Sequence, residues 1–189
     1  MNKLAAEIHE AAVKKGFWSV EDAEEKHLAK MISELGEVVQ ADRAGVMYEI
    51  EHEGAKPEGV VAEMADFVMM ALDYAVQTEA TSCFEYGWNK LDEHIEFDLK
   101  NRKDCNTVEE MVSLYASVPA YRFAIAASCS VGNARTPLSS AGKITENFGY
   151  DAHCMFVWCK GNGFDLWEVI RQKMEYNASN RGYLHGRAY

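Results

Sequence analysis

The feature that most constrains the fold of this chain is an apolar segment, residues 60–76, that also carries three carboxylates. If the segment is helical, apolar side chains cover most of its circumference, which is typical of a helix buried on nearly all sides. Glu63 and Asp66 lie three residues apart and share one face, and Asp73 follows two turns later. Because ionised carboxylates are costly to bury without partners, this face must line a solvated groove or hold cations.

Apolar spacing predicts that most of the chain is helical. In residues 22–44, apolar side chains recur at three- and four-residue intervals, which indicates one buried helix face. The members of this stripe are Leu28, Met31, Ile32, Leu35, Val38 and Val39. Further helices are predicted for residues 3–15, 58–79, 84–100, 107–117, 119–130, 143–160 and 165–180, with a loop at 130–140 and Asp165 as an N-cap. No segment shows sustained β alternation, and we expect an all-α helical bundle.

Composition limits the partners and the compartment. The formal net charge of -11 makes the surface repel nucleic acid polymers and anionic membranes. The five cysteines are an odd number without a CxxC motif, which favours a reducing cytoplasm. The N-terminus lacks the apolar region of a targeting segment, and residues 60–76 are short for a membrane span. We therefore expect a cytoplasmic protein that needs a metal ion and a local basic patch if its substrate is a polyanion.

A second acidic pair precedes the first. Glu34 and Glu37 are also three residues apart, and 25 residues separate them from Glu63. Taken alone, this pair is typical of a solvated helix face. If the two helices pack antiparallel, however, Glu34, Glu37, Glu63 and Asp66 converge in one cleft. Four carboxylates without histidine or cysteine suit Mg²⁺, or alternatively Mn²⁺, rather than zinc.

Three stretches carry a resemblance to a known family. The two acidic pairs lie in "SELGEVVQADRAG" and "AEMADFVMMALDYA", and the chain closes with "KMEYNASNRGYLHGRAY". Together they resemble the MazG-like all-α nucleoside triphosphate pyrophosphohydrolases. The closing motif of that family has a lysine, an asparagine and an arginine at four-residue steps before His-Gly. The matching residues here are Lys173, Asn177, Arg181, His185 and Gly186.

The resemblance implies a fold and an activity. It implies one all-α domain with a catalytic core at about 1–80 and 165–189, and inserted or additional helices at about 81–164. Members hydrolyse a nucleoside or deoxynucleoside triphosphate between the α and β phosphates, giving a monophosphate and pyrophosphate. Such a nucleotide diphosphatase uses Mg²⁺, and the resemblance assigns all four paired carboxylates as its ligands, with one glutamate as an alternative general base. A homodimer or homotetramer is expected, unless the middle region completes the bundle within one chain.

The remaining site residues concern the substrate. Lys173, Asn177 and Arg181 are spaced to share one helix face, so they are predicted to contact phosphate, although cations at a helix C-terminus also serve the helix dipole. Trp18, beside Phe17, is either a stacking partner for the base or a core residue. Asp73 either supports the metal ligands from behind or is a surface acid.

Three other functions compete with this one. A di-iron carboxylate bundle needs Glu-x-x-His on two helices, and such strings end at His27 and His52. A zinc site would use His153 with Cys154 and Cys159, at a spacing that matches no standard zinc motif. The third alternative is a non-catalytic helical bundle that binds a nucleotide or a partner protein.

Overall fold

The computed structural model describes residues 1–16, 24–90 and 138–179, and within these ranges it contains six α-helices and no strand. The helices are α1 (Asn2–Lys14), α2 (Glu24–Arg43), α3 (Val60–Gln77), α4 (Thr81–Trp88), α5 (Leu138–Gly161) and α6 (Leu166–Ser179). The predicted all-α class is confirmed. No helix in the described ranges is long and apolar enough to cross a membrane.

Helix α3 is the centre of the bundle, as its apolar circumference predicts. It packs against α1, α2, α4, α5 and α6. Thirteen of its residues are buried, from Val60 in the first turn to Ala75 near the end. The ring of Phe67 meets that of Phe148 in α5 edge to face, with centroids 6.2 Å apart. Each large apolar side chain buried in this way contributes about 1.5–3 kcal/mol, which is why the other helices surround α3.

The connector between α2 and α3 returns the chain on itself. Glu49 and Glu58 form an antiparallel β-bridge, and each backbone N–H donates to the other residue's carbonyl over 3.1 Å. Gly59 follows with φ 103°, and a Cβ there would lie 2.9 Å from the backbone of Met47. Only glycine fits this backbone conformation and this close approach. The chain therefore enters α3 at a fixed position, antiparallel to α2.

Two predicted boundaries in the middle region are wrong. Helix α4 ends at Trp88 and a turn follows at 89–90, whereas a helix was predicted for 84–100. Helix α5 begins at Leu138 and includes the last three residues of the predicted loop 130–140. Its first turns contain serines and Gly142, which are poor helix formers. A Cβ on Gly142 would lie 3.3 Å from Sγ of Cys83, so this part of α5 packs against α4. The predicted helices 107–117 and 119–130 lie outside the described residues.

The boundaries of the last helix agree with the sequence. A side-chain oxygen of Asp165 accepts hydrogen bonds from the backbone N–H groups of Trp167 (3.0 Å) and Glu168 (3.3 Å). These bonds satisfy two of the donors that a helix N-terminus leaves free, so the predicted N-cap is confirmed. Helix α6 then runs to Ser179, which places Lys173 in the middle of the helix.

Candidate metal centre

Three glutamates converge where α2 and α3 pack together. Glu34 and Glu37 are one turn apart on α2, and Glu63 is in the first turn of α3. One carboxylate oxygen from each lies within 4.8 Å of the other two. Among the described residues this is the one group of three or more histidine, cysteine or acidic side chains that comes together in this way. The predicted convergence of the two acidic pairs is thus observed for three of the four carboxylates.

Glu63 is the most buried of the three. Its residue is 5% exposed, and its Oε2 has no hydrogen-bond partner among the described residues. Burial raises the pKa of this carboxyl to about 7; the Lys173 and Lys56 charges oppose the shift, and those of Asp66 and Glu37 add to it. Glu63 is therefore an incompletely compensated acid inside the bundle, as a cation ligand would be.

Glu34, like Glu63, is a partly buried carboxyl with negatively charged neighbours. Burial raises its pKa to about 7, and the charges of Asp66, Glu37 and Glu63 add to the shift while Lys30 opposes it. Glu37, by contrast, is exposed. The cluster therefore holds more negative charge than its surroundings compensate, and a divalent cation would relieve this excess.

The fourth carboxylate has a partner of its own. The ammonium group of Lys173 forms an ion pair with Oδ2 of Asp66, and its Nζ lies 3.8 Å from Oε2 of Glu63. The Lys173 side chain is 3% exposed. Asp66 is thus paired with a lysine, while its charge still raises the pKa of both Glu34 and Glu63. Its predicted role as a fourth metal ligand stays a prediction. Lys173 is buried, and it does not point to solvent as the predicted phosphate contact would.

The spacing of apolar residues along α6 could have predicted that Lys173 is buried. Leu166, Val169 and Ile170 are buried residues of α6, and Lys173 lies three or four residues beyond the last two. These positions share one face of a helix, so Lys173 belongs to the buried stripe. Spacing relative to Asn177 alone does not reveal this, because it shows only that the two residues share a face.

Lys56 is a residue of the site that the sequence analysis missed. Its Nζ lies 3.1 Å from an oxygen of Glu58, at the end of the connector. Partial burial lowers the pKa of Lys56, but the hydrogen bond to Glu58 and the charges of Glu63, Glu58 and Asp66 outweigh it and raise the pKa. Sequence spacing does not predict that Glu63 and Asp66 act on Lys56, because this effect depends on how the connector folds beside α3.

Other predicted residues lie elsewhere. The backbone carbonyl of Asn177 accepts a hydrogen bond from the Lys15 ammonium group over 2.8 Å. Asp73 has its Oδ1 2.7 Å from Nδ1 of His9 and is not a member of the three-glutamate group. Trp18 and Arg181, together with Phe17, His185 and Gly186, lie outside the described residues.

Within the described ranges, the histidines named for the alternative di-iron and zinc sites do not form a metal site and make other contacts. The His27 ring donates from Nε2 to the Met70 carbonyl over 3.1 Å, and burial lowers its pKa to about 4. His52 is exposed in the connector. His153 stacks on Trp88 with centroids 4.5 Å apart. Among the described residues, none of these histidines joins a convergent group of potential ligands.

The donor set fits a hard divalent ion. Three carboxylates and no sulfur or imidazole suit Mg²⁺ or Mn²⁺. The buried Oε2 of Glu63 accepts no hydrogen bond among the described residues, and its nearest cation is the Lys173 ammonium group at 3.8 Å. Comparisons with protein-family models, curated proteins and solved structures found no match to this chain. The function must therefore be inferred from the chemistry of this site and from the resemblance of its motifs.

Proposed function

We propose that this chain is a Mg²⁺-dependent pyrophosphohydrolase of the MazG-like type, which cleaves a nucleoside or deoxynucleoside triphosphate between the α and β phosphates. The observation that supports it most directly is the convergence of Glu34, Glu37 and Glu63, with oxygens within 4.8 Å of one another. The motif order at both ends of the chain adds support. The products would be a nucleoside monophosphate and pyrophosphate.

The three glutamates would hold the metal. A bound divalent ion would neutralise charge on phosphate oxygens and lower the pKa of a water molecule near phosphorus. Most of the remaining catalysis in phosphoryl transfer comes from positioning and electrostatics, which a rigid pair of antiparallel helices can supply.

A proton acceptor is also available. The pKa values of Glu34 and Glu63 are about 7 in the metal-free chain, far above those of exposed glutamates. A bound cation would lower the pKa of each glutamate that ligates it, because it favours the ionised carboxylate. A glutamate that does not ligate the cation would therefore be the one to accept a proton from the attacking water molecule. Lys173 holds Asp66 beside them and keeps the fourth carboxylate in a fixed place.

Product analysis tests the proposal. A panel of ribonucleoside and deoxynucleoside triphosphates is incubated with the wild-type protein, with Mg²⁺ or with EDTA, and the products are separated by ion-exchange chromatography. We expect monophosphate and pyrophosphate in equal amounts, with none in EDTA. Glu63→Gln should reduce turnover to background, because it removes a buried negative charge from the metal site. Glu175→Gln, which changes an exposed glutamate of α6, should leave turnover unchanged.

Two results would contradict the proposal. Release of orthophosphate would indicate cleavage at another phosphate. No turnover of any triphosphate by a folded protein would favour the alternative, a non-catalytic helical bundle that binds a nucleotide or a partner protein.

A further inference from the structure

The proposed substrate carries more negative charge than the metal alone neutralises. The chain itself has a net charge of -11, so cations must face the phosphates locally. Lys173, which the closing motif offers for this purpose, is buried and forms an ion pair with Asp66. The charge of Lys173 is thus already paired within the protein. Another cation must therefore contact the phosphate chain on the solvent side of the glutamate cluster.

Lys56 is placed to do so. Its side chain is 44% exposed, whereas that of Lys173 is 3% exposed, yet both lysines act electrostatically on Glu63 and Asp66. Lys56 lies in the connector just before α3, whose first turn carries Glu63, so it reaches this end of α3 from the solvent side. Lys173 instead reaches Glu63 and Asp66 from the core. A cation on the solvent side is the one that an incoming anion meets.

The backbone around Lys56 is held in place. The β-bridge between Glu49 and Glu58 closes the connector, and Pro57 is buried beside it. Gly59 then fixes the entry into α3, whose first turn carries Glu63. Only the side chain of Lys56 needs to move for its ammonium group to exchange one anionic partner for another. Its present partner, Glu58, is not a member of the metal cluster.

We propose that Lys56 is a substrate-binding residue that contacts the phosphate chain of the nucleotide at the solvent side of the glutamate cluster. This inference rests on the proposed function, because it takes the ligand to be a triphosphate bound at the metal. Glu58 holds the ammonium group in the free protein and gives it up to a phosphate oxygen. Glu58 is thus a competitor of the substrate for Lys56.

Calorimetric titration with the preformed complex of Mg²⁺ and inorganic triphosphate tests the contact without turnover. Lys56→Gln should raise the Kd roughly 10-fold, the order expected for one charge-assisted hydrogen bond. Glu58→Gln should lower the Kd, because it removes the competitor and one negative charge. Lys143→Gln is the matched control, since Lys143 is also half-exposed and pairs with a glutamate over 2.9 Å. It should bind as the wild type does.

The outcomes separate this inference from the proposed function. If the wild type binds and turns over nucleotide while Lys56→Gln binds equally well, Lys56 is not a contact and the function stands. If Glu58→Gln weakens binding as much as Lys56→Gln does, the connector acts only as a scaffold and the inference is overturned. If the wild type neither binds the complex nor hydrolyses any nucleotide, both fail. For the active nucleotide, Lys56→Gln should raise KM and leave kcat nearly unchanged.

Discussion

The ion pair between Lys173 and Asp66 joins a lysine side chain that is 3% exposed to a carboxylate that is 25% exposed. Removing one partner of a buried pair leaves the other uncompensated, at a cost of about 3–5 kcal/mol. Lys173→Met should therefore lower the free energy of unfolding by about 2–3 kcal/mol, because it leaves Asp66 and the nearby Glu63 without their lysine while water still reaches Asp66. Urea denaturation followed by circular dichroism measures this loss.

A double variant distinguishes charge from packing as the cause of that loss. Lys173→Met combined with Asp66→Leu removes both charges, and much of the stability should return, as it does when buried ion pairs are replaced by apolar residues. Lys143→Met provides the comparison, since Lys143 is 53% exposed and its partner Glu146 also pairs with Lys90. This change should cost less than about 1 kcal/mol. Equal losses for Lys143→Met and Lys173→Met would contradict the account of the interior pair.

At the scale of helices, α4 and α5 cross at two glycines. A Cβ on Gly149 of α5 would overlap the backbone carbonyl of Phe84, and one on Gly87 of α4 would overlap that of Glu146. Because backbone atoms cannot move aside as a flexible side chain can, Gly149→Ala should destabilise the protein by roughly 3 kcal/mol.

Gly36→Ala is the control, since nothing lies within 4 Å of its added methyl group. Thermal unfolding should show Gly36→Ala slightly more stable than the wild type, and similar melting temperatures for the two alanine variants would argue against tight packing of α4 on α5.

Helix patterns also show how far the sequence predicts this fold. The stripe of α2 predicts its buried face, since Leu28, Met31, Leu35 and Val38 are all in the core. The early start of α5 at Leu138 is not predictable in this way, because its first turns mix good and poor helix formers and α5 packs against α4 at Gly142. The local apolar pattern thus identifies helices with a strong apolar face. It does not predict helix boundaries that depend on packing against a partner helix.

At the scale of the whole molecule, the sequence also predicts one part of the candidate site and not the other. The convergence of Glu34, Glu37 and Glu63 follows from two i,i+3 pairs once α2 and α3 pack antiparallel. The contacts of Lys173 and Lys56 do not follow from spacing, because they depend on how α6 and the connector fold onto α3. The sequence therefore predicts the ligand set better than the cations that surround it.

The cluster should make the stability of the whole molecule depend on pH. The folded pKa values of Glu34 and Glu63 are about 7, against about 4.3 in an unfolded chain. Between these values the folded state binds more protons, so this contribution to stability is largest below about pH 4.3 and is lost as pH rises through 7. Asp151 acts in the same direction and His27 in the opposite one, so the comparison must be with Glu34→Gln at each pH. The metal-free wild type should lose more stability than Glu34→Gln between pH 5 and 8.

A bound metal should reverse this loss. Carboxylates bind Mg²⁺ or Mn²⁺ in the deprotonated form, so the cation should stabilise the wild type more at pH 8 than at pH 6. At a concentration 100 times the Kd, a ligand specific for the folded state adds about 2.7 kcal/mol, or roughly 5–10 °C in Tm for a protein of this size. Scanning calorimetry with MgCl₂, against NaCl of equal ionic strength, measures this rise. Glu34→Gln should lose most of it while Glu175→Gln keeps it, and an equal rise in Glu34→Gln would mean that the cation binds outside the glutamate cluster.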